Sequence, residues 1–255
     1  MSDPKFVVIG GGTGISALLR GLKRFSEDIT AIVTMADDGG NSGMLRREYG
    51  MLPPGDVRNC LVALANAEPS LKNLLQYRFK EGELKGQNMG NLIITALTDV
   101  YGGFAEGVRE AAEVLKITGR VLPVTEESIA LIAHYADGNS IRGESAIPTY
   151  AYEHDVAITS MELAPRAPKA NGDCIDEILA AVGHRPGKLI HLINPQSSRA
   201  GGGPGIKRRP RSLGLCGQYD GAAWRNRGHD PHRPSRGLKG PRLGAARAVH
   251  YRQRR

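Results

Sequence analysis

A glycine-rich segment near the N-terminus has the residue types and spacing needed to bind a phosphate group. It follows the short apolar run Lys5–Ile9 and consists of Gly10, Gly11, Gly12, Thr13 and Gly14. Glycines at a strand-to-helix junction let the backbone approach a phosphate, and the first N–H groups of the helix supply positive potential. A tight strand-to-helix turn without a ligand is the alternative, because the pattern departs from both G-x-G-x-x-G and the P-loop.

A second cluster of polar residues follows the next apolar run, Ile29–Met35. It contains Asp37, Asp38, Asn41 and Ser42 within a Gly- and Asp-rich stretch that we predict to be one long loop, 36–55. An acidic residue beyond the second strand of a dinucleotide-binding fold can hold a ribose hydroxyl. Two adjacent carboxylates can instead bind Mg²⁺ beside phosphates. A solvated Asp-Gly turn is the third interpretation.

Further along the chain, four residues have side chains suited to the rest of a nucleotide. Arg46 could clamp a phosphate. Arg58 and Asn59 lie in the first turn of a helix that we predict to begin with Asp56 as its N-cap. Asn91, at the start of another helix, could contact a base or sugar edge. Near the end of a predicted hairpin, Arg142 and Glu144 form either a charged pair at this cleft or a simple hairpin salt bridge.

Hydrophobic periodicity places these residues on an α/β scaffold. The predicted strands are 5–9, 29–35, 120–124 and 156–163, with a hairpin of 129–135 and 140–144. The predicted helices are 15–24, 56–66, 69–79, 88–100, 104–116 and 173–181. The first strand, glycine loop, helix and second strand form a unit whose two strands should be parallel, with a right-handed crossover.

The charge distribution divides the chain at residue 181. Residues 1–181 contain 17 Lys and Arg against 24 Asp and Glu, whereas residues 182–255 contain 17 against 2 and no Glu. The tail is rich in Gly, Pro and Arg and has no periodicity, which predicts disorder. Shifting its codons by one base gives strand-like and amphipathic stretches such as AIVLGSLYTSLIP and HLEALKGHALERLVQY. We therefore predict an incomplete nucleotide-binding domain, 1–181, followed by a disordered, out-of-frame basic tail, 182–255.

Cysteine content and the N-terminal segment predict a cytoplasmic protein. Cys60, Cys174 and Cys216 are odd in number and far apart, with no metal-ligand spacing. No apolar run is long enough to span a membrane, and the N-terminus lacks the features of a signal peptide.

The motifs taken together resemble the gluconeogenesis factor (YvcK-like) family, within the superfamily of 2-phospho-L-lactate transferase-like (CofD-like) proteins. They are VVIGGGTG (7–14), TMADDGGNSG (34–43), LPPGDVRNCLVALA (52–65), MGNLIITALTD (89–99), GRVLPVT (119–125) and RGES (142–145). The resemblance implies a Rossmann-like three-layer α/β fold with a mostly parallel sheet, truncated here by loss of its C-terminal strands. Gln87-Asn88 stands where the family pattern leads us to expect His-Ser.

The resemblance also implies ligands and a role. The nearest branch is associated with UDP-sugar binding, growth on gluconeogenic carbon sources and cell shape, without an established reaction. The sister branch transfers a phospholactyl- or phosphoenolpyruvyl-type group from a guanylylated donor to a deazaflavin precursor, with Mg²⁺. We therefore expect a nucleotide or UDP-sugar ligand, with NAD and GDP as other candidates and Asp37 and Asp38 as the residues for Mg²⁺. A homo-oligomer is allowed, and a nucleic-acid partner would rest only on the basic tail.

Overall fold

The computed structural model describes residues 3–183 and 187–191, which form seven strands and eight helices. The strands are β1 (Lys5–Gly10), β2 (Ile29–Val33), β3 (Arg120–Pro123), β4 (Ala130–Tyr135), β5 (Ser140–Arg142), β6 (Ile158–Ala164) and β7 (Gly187–His191). The helices are α1 (Gly12–Leu22), α2 (Gly40–Tyr49), α3 (Gly55–Leu64), α4 (Pro69–Gln76), α5 (Met89–Tyr101), α6 (Phe104–Val114), α7 (Ala146–His154) and α8 (Gly172–Gly183).

Four strands form a parallel sheet in the order β3-β2-β1-β7. β1 pairs with β2 over five residues, from Phe6 opposite Ile29 to Gly10 opposite Val33. Parallel strands that are covered on both faces have nearly continuous apolar sequences, as β1 and β2 do. Since all four strands point the same way, the segments that leave their carboxyl ends meet at one edge of the sheet.

Helices cover both faces of this sheet, which confirms the predicted three-layer architecture. Side chains alternate along a strand, so Val8 of β1 packs into the large core on the α1 and α3 side, whereas Val7 faces the opposite layer. That opposite layer contains Ile32 of β2 with Cys174 and Ala181 of α8. Both layers thus hold β1 rigidly, and with it the glycine segment that leaves its end.

The predicted hairpin belongs to a second, smaller sheet. β4 pairs antiparallel with β5 and β6 in the order β5-β4-β6. α7 covers one face through a small core that contains Ala133, Tyr135 and Ile147. The sequence pattern predicted these three strands but not α7.

The stretch 36–55 is not one long loop, because α2 occupies its middle. Only Leu45 is both apolar and fully buried in this helix, and Gly50 ends it with φ +64°. Two Gly and two Arg among its ten residues hide the helical periodicity, so sequence reasoning missed it. Close packing of the Gly43 backbone against Asp38 holds α2 in place. A side chain at Gly43 would collide with the backbone carbonyl of Asp38.

The C-terminal boundary also differs from the prediction. α8 continues to Gly183, and β7 adds a parallel strand beside β1, although we expected no strand in the encoded sequence after α8. Leu189 and Ile190 supply alternating apolar faces, one to each core, which is enough to form an edge strand. Residues 192–255 lie outside the described ranges, so the reading-frame shift, the disordered tail and the loss of further strands stay predictions.

Within the described ranges, no helix combines the length and apolar character needed to cross a bilayer.

Candidate functional site

The glycine segment connects the end of β1 to the first turn of α1 in a conformation that needs glycine at two positions. Gly12 has φ +67°, which favours glycine. Gly11 is extended, but a Cβ there would collide with the Thr34 hydroxyl oxygen and the Asp56 carboxylate. The Thr34 N–H donates to the Gly10 carbonyl at 3.0 Å and ties the segment to the end of β2.

The first turn of α1 faces open space. Gly12, Thr13 and Gly14 are exposed, and a Cβ added at Gly12 or Gly14 would meet nothing within 4 Å. No side chain caps the helix from the N-cap residue, Gly11. The first N–H groups of a helix lack intrahelical acceptors, so this turn can receive an oxyanion.

Asp56 is not the N-cap of α3 that we predicted. α3 begins at Gly55 with Pro54 as its N-cap residue, so Asp56 lies inside the first turn. Its carboxylate reaches across to accept a hydrogen bond from the Gly12 N–H at 2.5 Å. Burial raises the pKa of Asp56 above its ordinary value, and Asp37 adds to the rise, while the Gly12 N–H and Arg58 oppose it.

Asp37 and Asp38 lie beyond the carboxyl end of β2, beside the glycine segment. One Asp37 oxygen accepts from the Gly39 N–H at 3.0 Å. One Asp38 oxygen accepts from the Ser145 N–H at 2.9 Å and so links this loop to the start of α7. Gly143, with φ +108°, lets the Asp38 carboxylate approach the backbone.

Glu144 completes a group of four carboxylates. Burial raises its pKa, and Asp37, Asp56 and Asp38 raise it further. No ion pair with Arg142 occurs among the described residues, so Glu144 is not held by the hairpin salt bridge that was one of our two interpretations. We call this region the glycine-loop end of the cleft: Gly10–Gly14, Asp37, Asp38, Asp56 and Glu144.

Next to it lies a group of interlocked amides and one arginine, which we call the amide end: Asn41, Arg58, Asn59, Gln87, Asn88 and Asn91. The Asn41 side-chain oxygen accepts from the Asn91 amide at 2.7 Å and from the Asn88 N–H at 3.2 Å. The Asn41 amide in turn donates to the Gln87 side chain. Asn88 caps α5 by accepting from the Asn91 N–H at 3.1 Å.

Arg58 and Asn91 are joined within the amide end. The Arg58 guanidinium donates to the side-chain oxygens of Asn91 at 2.9 Å and Asn59 at 2.8 Å. Asn91 is only 2% exposed, so it holds Arg58 and Asn41 in place instead of lying open to a base or sugar. Its predicted direct contact with ligand therefore has no support in this arrangement.

Ser42 and Arg46 have structural partners. Ser42 is buried, with its hydroxyl packed against Gly55 at the start of α3. Arg46 donates to the carbonyls of Asp37 at 3.2 Å and Ile129 at 2.8 Å and to the Ser128 hydroxyl at 3.0 Å. These contacts occupy both terminal nitrogens of Arg46, so it fastens the Asp37 loop to the start of β4 and is not placed as a phosphate clamp.

The predicted Mg²⁺ site has two adjacent carboxylates but no complete set of side-chain ligands. Among residues 3–183 and 187–191, no group of three or more His, Cys, Asp or Glu side chains is arranged to hold a metal ion. Mg²⁺ commonly takes one or two carboxylates together with water and ligand phosphates. Asp37 and Asp38 fit only that kind of shared site.

Comparison with known proteins places this arrangement in a family. The family model described as 2-phospho-L-lactate transferase CofD matches residues 6–195. The chain belongs to the CofD family. Residues 6–195 include both ends of the cleft.

The similar proteins are bacterial and longer than the matched part. A gluconeogenesis factor of Bacillus subtilis is 44% identical over 193 residues, which cover 75% of this chain and 60% of that protein. A gluconeogenesis factor of Halalkalibacterium halodurans is 52% identical over 149 residues, 58% of this chain and 46% of that protein. The chain thus spans only part of the length of these CofD-family relatives.

A solved structure of a Bacillus halodurans protein, described as a member of the UPF0052 family, confirms the fold. It is 44% identical with a TM-score of 0.65 and covers 70% of this chain and 56% of its own.

Two residues of the cleft were missed or given the wrong role by sequence reasoning. Asp56 precedes an apolar helix, which is typical of an N-cap, and nothing local indicates that it contacts Gly12, 44 positions away. Gln87 was noted only as a departure from the family pattern, yet it contacts Asn41. A polarity pattern within one element could not have predicted either contact, because each contact joins residues of two separate elements.

Proposed function

We propose that this CofD-family chain binds a nucleotide, with a UDP-sugar as the leading candidate, and acts as a gluconeogenesis factor in the cytoplasm. The observation that carries the proposal is the exposed first turn of α1 at the carboxyl end of β1, which receives no side-chain cap from its N-cap residue and in which Asp56 accepts only the Gly12 N–H. In open α/β sheets, ligands bind in the crevice outside the carboxyl ends of the strands. The glycine segment is in that position, with Asp37 and Asp38 beyond the neighbouring strand for a sugar hydroxyl or a cation.

The carboxylates suggest how the phosphates are received. Asp37, Asp38, Asp56 and Glu144 would repel a bare diphosphate, whereas N–H groups of the first α1 turn attract it. A divalent cation shared between ligand and carboxylates would remove the repulsion. The proposal therefore includes tighter nucleotide binding with Mg²⁺ than without it.

The test places a carboxylate where the phosphate should lie. In the 255-residue chain, Gly14→Asp points into open space and is favourable for helix stability near a helix N-terminus. Calorimetric titration with UDP-N-acetylglucosamine, NAD and GDP, with and without Mg²⁺, should show binding by the parent chain and a loss of at least about tenfold in this variant.

Gly21→Asp is the matched control, since it introduces the same charge at another open position of α1. It should bind as the parent chain does. If the parent chain binds none of the three nucleotides, or if Gly14→Asp binds as well as Gly21→Asp, the proposal is wrong.

A transferase of the phospholactate type is the second candidate, favoured by the family model that matches the chain. Asp37 and Asp38 would be its cation-binding side, sharing the cation with ligand phosphates and water. Release of GMP from a guanylylated phospholactate donor on addition of Mg²⁺ and a deazaflavin precursor, whose hydroxyl would accept the phospholactyl group, would favour it. Binding of the donor without turnover in the presence of both would exclude it.

A further inference from the structure

Arg58 has an unusual environment for a charged side chain that is largely buried. Its two terminal nitrogens donate to neutral amide oxygens, those of Asn91 and Asn59. Its third nitrogen, Nε, is buried and has no hydrogen-bond partner among the described residues. A buried donor without an acceptor destabilises the folded protein, and more so when the group is charged.

The positive charge of Arg58 is also unbalanced at short range. None of the ion pairs within the described ranges includes Arg58, whereas Lys5, also partly buried, contacts both Glu177 and Asp28. Burial lowers the pKa of Arg58, and Arg78 lowers it further, whereas Asp56 and Asp37 raise it without forming an ion pair with it. A partly buried cation and a neighbouring exposed one repel each other, and an anion between them would remove that repulsion.

The surrounding structure keeps Arg58 in this position. Its side-chain methylenes pack against Gly90, where an added Cβ would collide with them and with the Leu75 carbonyl. Asn91, the next residue, is buried and bonded to Asn41. Arg78 is fixed nearby, because its guanidinium donates to the Gly86 carbonyl and its backbone bridges to Asn88.

We infer that Arg58 and Arg78 form a second anion subsite, separate from the glycine loop, which takes a phosphate or carboxylate group of the bound ligand. Each terminal nitrogen of an arginine carries two hydrogens, so Arg58 keeps donors beyond those given to Asn91 and Asn59. An oxyanion beside the guanidinium would balance both charges and give Nε an acceptor after a small side-chain shift. That the anion belongs to the same ligand as the loop-bound phosphate rests on the proposed function.

The experiment uses inorganic phosphate as the probe in the 255-residue chain. Arg78 is exposed, so Arg78→Gln should leave folding intact while weakening phosphate binding by about tenfold in a ³¹P NMR titration. Arg58→Lys, which keeps the charge but loses the planar fork, should weaken it as well. Arg109→Gln, an exposed arginine on α6, is the matched control and should bind phosphate as the parent chain does.

Gly14→Asp separates the subsite from the glycine loop. It should weaken nucleotide binding at least about tenfold yet leave phosphate binding within about twofold, and UDP should displace phosphate from the parent chain. If phosphate does not bind the parent chain, if Arg78→Gln leaves its affinity unchanged, or if Gly14→Asp removes it entirely, the second subsite is wrong. If phosphate binds through Arg78 but no nucleotide binds or displaces it, the proposed function is wrong, whereas the subsite is supported as a site for a free anion.

Discussion

The two ends of the cleft are built on opposite principles. At the glycine-loop end, the absence of side chains leaves the backbone of the first α1 turn exposed, with Asp56 accepting only the Gly12 N–H, and a Cβ at Gly12 or Gly14 would meet nothing. At the amide end, Asn41, Asn88 and Asn91 satisfy one another, and Asn91 is almost fully buried. An open backbone can receive a ligand directly, whereas an interlocked side-chain network mainly positions the few groups that remain free.

The largest effect is expected where the glycine-loop end has no room. Gly11→Ala would drive a Cβ into Thr34 and Asp56, and overpacking of this kind costs about 2–3 kcal/mol of the free energy of unfolding. Gly14→Ala, in open space within a helix, should instead gain about 0.5–1 kcal/mol. Urea denaturation of both variants checks the contrast, and equal stabilities would show that the loop adapts freely.

A smaller loss is expected at the amide end. Asn91→Ala leaves a terminal nitrogen of Arg58 and the side-chain oxygen of Asn41 with fewer partners, at a cost of about 1–2 kcal/mol. Asn66→Ala, which removes an exposed hydrogen bond to Thr118, should cost at most about 0.5 kcal/mol. Chemical denaturation gives the free energy of unfolding of both variants. Equal losses in the two would contradict a network held together by Asn91.

The smallest effect concerns pH. The pKa of Asp56 is raised by burial in the folded protein, so the folded state holds the proton more tightly than the unfolded state. Stability should therefore fall as pH rises from the unfolded pKa through the folded pKa. Asp56→Asn keeps an acceptor for the Gly12 N–H and should flatten that decline when the free energy of unfolding is measured from about pH 4 to about pH 7.

Glu177 provides a control of opposite sign. Despite desolvation, hydrogen bonds from Lys5 and Thr30 lower the pKa of Glu177. Its contribution to stability is present above the unfolded pKa and is lost as pH falls through the folded value. Glu177→Gln should therefore reduce stability most at neutral pH, and the same pH trend in both variants would refute the assigned environments.

The amino-acid sequence by itself determined the parallel α/β scaffold and the place of the glycine segment. Apolar runs such as Lys5–Ile9 and 29–35 specify buried strands, since local composition decides what can be covered on both faces. The glycine segment was located because its special residue types are contiguous. α2 was missed, since it has too few apolar residues to show a helical period. β7 was missed because the composition of the tail as a whole hid Leu189 and Ile190, the two apolar residues that pack into the cores.

Only the tertiary structure decided what the polar side chains of the cleft do. Asp56 contacts Gly12 instead of capping α3, Arg46 binds carbonyls, and Asn91 holds Arg58. Each of these partners is 33 to 83 positions away in the chain. Hydrogen bonds and charges act over a few ångströms, so which groups they join depends on how separate elements pack, and no local pattern records that.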